Sequence, residues 1–307
     1  MKIGINLINH SIQNTIAHYI ALVYCLRSLL ESDITNFDWE MVMVENGSTS
    51  EYTRKFATFL EALPNIEVIW LPENVGIPKA RNISTRKLLE RNCDYIVEIH
   101  TDHIFPSMWA APLIEYMEEN PTVGSCGPGN ILTATWPGLP HLGDPYEAEY
   151  TLIYTTHPEV VKSELVSVKE YRETKKIIEQ LAEASRQDIL MEGLLHPAVK
   201  RATMYAGIGL YEEEMPVNQT FEDLDEYYRA ELAGWKFCIN WNSVVYHYGA
   251  FQRALTAAMV ENLPDWSHRV RYNEEFCINK HGRDEWFKWM EINDKRQEAV
   301  HNLGKDS

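Results

Sequence analysis

IEVIWLPENVGIPKARNISTRKLLERNCDYIVEIHTDH, residues 66–103, reads as a strand, a helix and a second strand in succession. IEVIWL is short and rich in β-branched and aromatic residues, which pack well on a pleated, half-buried surface. Gly76 and Pro78 then punctuate the chain, and Pro suits the first turn of a helix, where its missing N–H has no partner to lose. PKARNISTRKLLERN carries the helix. DYIVEI carries the second strand and delivers His100, Asp102 and His103 at its carboxyl end. Strands bridged by such a helix lie parallel with a right-handed crossover, and ligands of such sheets bind beyond the carboxyl ends of the strands.

The same alternation runs back to the first residue. MKIGINLI predicts a strand, and Ile16, Tyr19, Ile20, Val23, Leu26 and Leu30 recur at helical spacing. WEMVMVE predicts another strand and EYTRKFATFLEAL another helix. The expected fold is α/β, a Rossmann-like, mostly parallel central sheet flanked by helices. His10, Glu45, Asn74 and Asp102 then all emerge along the carboxyl edge of that sheet.

From about Pro137 the alternation stops. PGLPHLGDPYEAEY is loop-like, and Glu159 to Ser185 is a charged amphipathic pattern of one or two helices. The stretch 137–195 is expected to be a helical insertion over the sheet. It is either a lid or acceptor-binding element, or a solvated helix with no role in binding. An acidic helix from Glu222 to Ala233, a β-like run KFCINWNSVVYHYG and a helical, aromatic-rich tail follow. Residues 1–255 are read as one domain with its insertion, and 256–307 as a helical C-terminal extension packed on it.

Composition narrows the function classes. The chain has 307 residues, 45% of them hydrophobic, enough for a substantial core. Its formal charge of −17 repels phosphate backbones and anionic lipid surfaces, which disfavours nucleic acid as a partner. Five cysteines lie far apart with no CxxC pair, which argues against a disulfide framework and for a reducing compartment, the cytoplasm. IAHYIALVYCL is interrupted by His18, and no run reaches the roughly 18 to 20 apolar residues of a membrane span. The start shows no signal-peptide pattern.

EIHTDH, residues 98–103, is the densest chemical signal and admits two readings. One is the His-x-His-x-Asp-His signature of metallo-β-lactamase-type hydrolases, with Glu98 at the first His; it requires a zinc cage and a β-sandwich. The other is the Asp-x-Asp motif that holds a divalent cation against a nucleotide sugar, with His100 at the first Asp and Asp102 at the second. A dinucleotide-dependent oxidoreductase fails, because NHSIQN stands where GxGxxG would follow the first strand.

Four further pieces bear on the choice: VENGSTS after the second strand, ENVGIPKARN after the third, FEDLDEYYR opening a helix, and VVYHYG ending a late strand. With LAGWKF and NEEFCINKHG they occur in an order that closely resembles the family 2 glycosyltransferases of GT-A fold, over nearly the whole chain. The resemblance implies an inverting, hexosyltransferase-type enzyme. Its donor would be a nucleoside-diphosphate sugar, uridine diphosphate favoured, and its acceptor a hydroxyl of a glycan, protein or small molecule.

The resemblance also assigns roles. Asn9, His10, Glu45, Asn74, Lys79, Arg81, His100 and Asp102 fall at donor positions. Asp102, His100 and His247 are the metal set, for Mn²⁺ or Mg²⁺, and imidazole tilts the preference toward Mn²⁺. His103 is read as dispensable. Asp223 is the base and Glu222 its neighbour, both in a first helical turn, with Thr220 placed to cap it.

Blander readings stand beside these. Glu45 and Asn46-Gly47 also make an ordinary turn. Lys79 and Arg81 also make a solvated basic turn of helix. His247 also suits a Tyr-rich strand end, and Asp225 pairs with Arg229 at i,i+4. Trp266, Trp286 and Trp289 either stack on sugar rings or pack. A sugar-nucleotide-binding protein without transferase activity is the second function that fits the motifs.

Overall fold

The structure, a computed structural model, describes residues 1–11, 16–132, 168–215, 221–247 and 266–303. Strand β1 (Lys2–Asn9) leads through α1 (Ile16–Leu30) and a 3-10 turn (Asp33–Asn36) to β2 (Asp38–Asn46). Then come α2 (Glu51–Leu60), β3 (Ile66–Leu71), α3 (Ile77–Glu90) and β4 (Tyr95–Ile99). Apart from the 3-10 turn, these are the elements the periodicity predicts, and β1, β2, β3 and β4 are all parallel. The spatial order β3-β2-β1-β4 reverses direction between β1 and β4. That reversal opens a crevice at the carboxyl ends of those two strands.

Beyond β4 antiparallel strands join the sheet, though β6 and β9 run in the same direction as β1 to β4. The short β5 (His103–Ile104) is followed by α4 (Ala110–Glu119), β6 (Val123–Leu132), α5 (Val168–Ser185) and β7 (Leu190–Glu192). Next are β8 (Ala198–Arg201), α6 (Ala202–Ile208), α7 (Glu222–Leu232) and β9 (Lys236–His247). Strand β8 pairs antiparallel with both β4 and β6, β6 pairs parallel with β9, and β9 pairs antiparallel with β5 and β7. This is an α/β sheet, not a β-sandwich, so the hydrolase reading loses its fold.

The stretch expected as an insertion divides. Residues 133–167, and with them most of the loop-like segment, lie outside the described residues, as does Thr220. Helix α5 is not solvated on all sides: Ile178 and Ala182 are buried and Tyr171 packs edge-on against Tyr24. Strand β7, also within 137–195, belongs to the sheet. The tail forms α8 (Trp266–His281) and α9 (Arg283–Leu303). Trp286 and Trp289 are buried in a cluster with Tyr227, Tyr228 and Phe237, so they pack rather than present rings to a sugar. The side chain of Trp266 lies outside the described residues.

The main core lies between the parallel strands and the helices on one face, built from Ile3, Ile5, Leu7, Met41, Met43, Val97 and Ile99 against Leu22, Leu26, Leu113 and Trp109. Asp33 caps α4, its carboxylate accepting the backbone N–H groups of Trp109, Ala110 and Ala111. All five cysteines are buried thiols. Among the described residues no helix is long and apolar enough to cross a membrane.

Candidate functional site

The ends of β1 and β2 are in register, Asn9 beside Glu45, and their side chains meet. Asn9 Nδ2 donates to Glu45 Oε1 at 2.8 Å, while Glu45 Oε2 is buried without a hydrogen bond. Burial pushes the Glu45 carboxyl up to about 7, against the hydrogen bonds of Ser48 and Asn9 and the charge of Arg54. The turn that follows leans on the loop before α3. Gly47 has φ of 70°, and a Cβ there would sit 2.4 Å from the backbone N of Asn74.

Asn46 and Asn74 sew this contact shut. Asn46 Nδ2 donates to Asn74 Oδ1, and the N–H groups of Val75 and Gly76 donate to Asn46 Oδ1 and Asn74 Oδ1, each at 2.9 Å. His10 joins them, Nδ1 lying 2.6 Å from Asn46 O and Nε2 3.1 Å from Asn74 Nδ2. With Nδ1 donating to the carbonyl, Nε2 accepts from the amide, so the ring is fixed as one neutral tautomer. Asn9, His10, Glu45 and Asn74 thus line one end of the crevice.

The two basic residues of ENVGIPKARN separate. Lys79 is exposed on α3. Arg81 is buried, and its guanidinium donates to Asn6 O at 2.8 Å and Ile99 O at 2.9 Å. It therefore clamps β1 to β4 at the point of reversal, donating to main-chain carbonyls of both strands and to the Asn6 side chain. Lys79 and Arg81 are two apart on one helix, about 200° around its axis, so one faces solvent and the other the sheet.

At the end of β4, His100, Asp102 and His103 meet His247 of β9, which the β5–β9 pairing sets opposite His103. One potential ligand atom from each of the four lies within 4.8 Å of the others. Asp102 is buried, its Oδ1 has no hydrogen bond, and His247 Nε2 stands 3.6 Å from that oxygen. Ligand atoms on one ion with bonds of about 2.1 Å stand roughly 3.0 to 3.5 Å apart, so this pair fits a shared cation with little movement. An orphaned buried carboxylate oxygen beside two imidazoles is a donor set suited to Mn²⁺ or a related transition ion. His103 is brought into the cluster although the sequence reading set it aside. Its Nδ1 accepts the N–H of His100 at 3.1 Å, which puts the ring proton on Nε2. Asp102, His247 and His100 could then offer ligand atoms to an ion, while Nδ1 of His103 is engaged by the His100 N–H.

Facing the cluster is the amino end of α7. Phe221, at φ of 65°, occupies the cap position without a side-chain cap. Asp223 accepts from the N–H of Leu224 at 2.9 Å. Desolvation raises its carboxyl above the usual range, tempered by solvent, since the side chain stays 39% exposed. Glu222 lies beside it in the same turn. Asp225 faces inward and is fully buried, 2.8 Å from Arg229, 2.9 Å from Lys280 and 2.7 Å from His281 Nε2. Burial alone would raise its carboxyl; the His281 hydrogen bond and the charges of Arg229 and Lys280 hold it well below the usual range.

Two residues without a role in the sequence reading tie the halves together. Lys200 of β8 is fully buried. Its ammonium lies 2.7 Å from Glu98 of β4 and 2.7 Å from the Tyr211 hydroxyl, and it also pairs with Glu226 of α7. Burial opposes ionisation of both carboxylates; Lys200 and Arg81 hold Glu98 below its usual range, while Glu226, facing Glu98, stays above it. The second is His196, before the cis Pro197. Its ring stacks on His100 at 4.7 Å, and its Nε2 stands 3.9 Å from Asp223 Oδ2. The only sequence signal for it was a His-Pro pair at the end of the expected insertion.

Comparisons with known proteins agree with this architecture. Residues 19–143 match the family model "Glycosyl transferase family 2". No curated protein matches the sequence at a significant level. The fold is similar to residues 1–349 of TarS from S. aureus, with 12% identity, TM-score 0.50, and 94% of this chain and 74% of that chain covered; that protein has also been solved with UDP. It is similar as well to GalNAc-T7 solved with UDP, GalNAc and Mn²⁺, with 14% identity, TM-score 0.51, and 80% and 43% of the two chains covered. Residues 19–143 are therefore similar to a family 2 glycosyltransferase domain, and the fold is of the GT-A type.

Proposed function

We propose that the protein transfers a hexosyl group from a nucleoside-diphosphate sugar, uridine diphosphate favoured, to an acceptor hydroxyl in an inverting single displacement. The observation that carries this reading is the buried, unpartnered Asp102 Oδ1 beside His247 Nε2 at the crevice. TarS solved with UDP, and GalNAc-T7 solved with UDP, GalNAc and Mn²⁺, support it.

Asn9, His10, Glu45 and Asn74 form the nucleoside end. Asp102, His247 and His100 would hold Mn²⁺ or Mg²⁺, which when bound supplies positive charge to the diphosphate. Asp223 takes the acceptor proton. The bond from the acceptor oxygen to the anomeric carbon forms as the bond from that carbon to the diphosphate oxygen breaks, and the bonding pair leaves with the diphosphate. Lys200 and Arg81 act from beneath, fixing β4 and α7 so that the reacting groups need not be reorganised.

Calorimetric titration with uridine diphosphate, with and without Mn²⁺, tests the reading. Binding should require the ion and be lost in Asp102→Ala. Failure of uridine, guanosine and thymidine diphosphates alike would overturn it, and binding without any sugar transfer would leave a sugar-nucleotide-binding protein.

A further inference from the structure

His196 lies outside the four residues that share the cation cluster, yet it touches both chemical ends of the crevice. Its ring stacks on His100 at 4.7 Å with 29° between the planes, and its Nε2 lies 3.9 Å from Asp223 Oδ2. That separation is too long for a hydrogen bond between them. An oxygen about 2.8 Å from each atom fits between the two.

The polarity of the gap is also set. His196 Nδ1 is buried without a partner, so a proton there would be a stranded donor, and the N–H belongs on Nε2, which faces Asp223. The gap therefore offers one donor and one acceptor, the complement of a hydroxyl, which accepts at its lone pair and donates its proton. The backbone holds the ring in place: the His196 carbonyl accepts Asn130 Nδ2 at 2.6 Å.

We infer that His196 Nε2 and Asp223 Oδ2 form a two-point seat for the acceptor hydroxyl, making His196 a substrate-positioning residue. This rests on the proposed transfer reaction. The seat fixes one hydroxyl oxygen next to the base with its proton aimed at Asp223, and water occupies the same place when no acceptor is present.

A crystal structure of the full chain, alone and with uridine diphosphate and Mn²⁺, decides the seat whether or not turnover is seen. An ordered oxygen within hydrogen-bonding reach of both His196 Nε2 and Asp223 Oδ2 is expected. A direct His196–Asp223 hydrogen bond, or a gap with no oxygen, overturns the inference. In solution, release of uridine diphosphate from UDP-glucose or UDP-N-acetylglucosamine, with water as acceptor, should slow roughly 10- to 100-fold in His196→Ala. Uridine diphosphate affinity should not change. His196→Gln, which keeps an N–H donor, should recover part of the rate. Hydrolysis by His196→Ala at the wild-type rate also overturns it. A wild-type protein that binds no nucleoside diphosphate refutes the proposed function instead, and the crystal alone still reports on the seat.

Discussion

Glu45 should make the protein less stable as the pH rises through neutrality, and Glu45→Gln should remove that dependence. The side chain is 1% exposed, one oxygen accepts from Asn9 and the other has no hydrogen bond, so the ionised form is poorly solvated. Its carboxyl sits at about 7 in the folded protein against an ordinary value of 4.5. The folded state therefore holds the proton more tightly than the unfolded chain, and stability falls between those two values and levels off above them. A gap of about 2.5 corresponds to about 3 kcal/mol in full, of which about 2.5 kcal/mol develops between pH 5 and pH 8. Gln keeps the acceptor for Asn9 and carries no charge. Urea unfolding of both proteins at pH 5 and pH 8 is the assay. The variant should gain about 2.5 kcal/mol on wild type between the two pH values. A difference that does not change with pH would refute the account of Glu45 as a carboxylate forced upward by burial.

Two more outcomes follow from the buried charges. Lys200→Met strands Glu98 and Glu226 and should cost about 3 to 5 kcal/mol in urea unfolding, most of it recovered when Glu98→Gln and Glu226→Gln are added. Asp225→Asn leaves Arg229, Lys280 and His281 without their shared carboxylate and should cost roughly 3 kcal/mol at neutral pH. Because the folded carboxyl lies below its ordinary value of 3.8, that contribution is complete above 3.8 and is lost only as the pH falls further; unfolding of both proteins along an acid series checks this.

The first four strands were legible because each is a near-continuous apolar run ending in turn residues, the mark of a parallel strand covered on both faces. Strand β6 carried no such mark. Its GSCGPGN looks like a loop, and the reason for the glycine is remote in sequence: a Cβ at Gly129 would lie 2.3 Å from the Trp241 ring. The residues brought together at the crevice were visible where chemistry sits at strand ends, as with His100, Asp102 and Glu45. The strand-clamping bonds of Arg81 were not legible, because a basic residue in a phosphate-type motif looks the same whether or not it also meets two carbonyls. Lys200 was invisible for a related reason: its carboxylate partners are 102 residues before it and 26 after it, and nothing local demands a buried ammonium.

The carboxylate of Asp225 is where two stretches of chain become one device. Lys280 and His281, at the end of α8, reach it from outside the sheet, while its own helix begins with Glu222 and Asp223. The angle at which the proposed base enters the crevice is thus set from a helix more than fifty residues away in sequence. Exchanging α8 would thus alter what holds the first turn of α7 without altering any residue of the crevice.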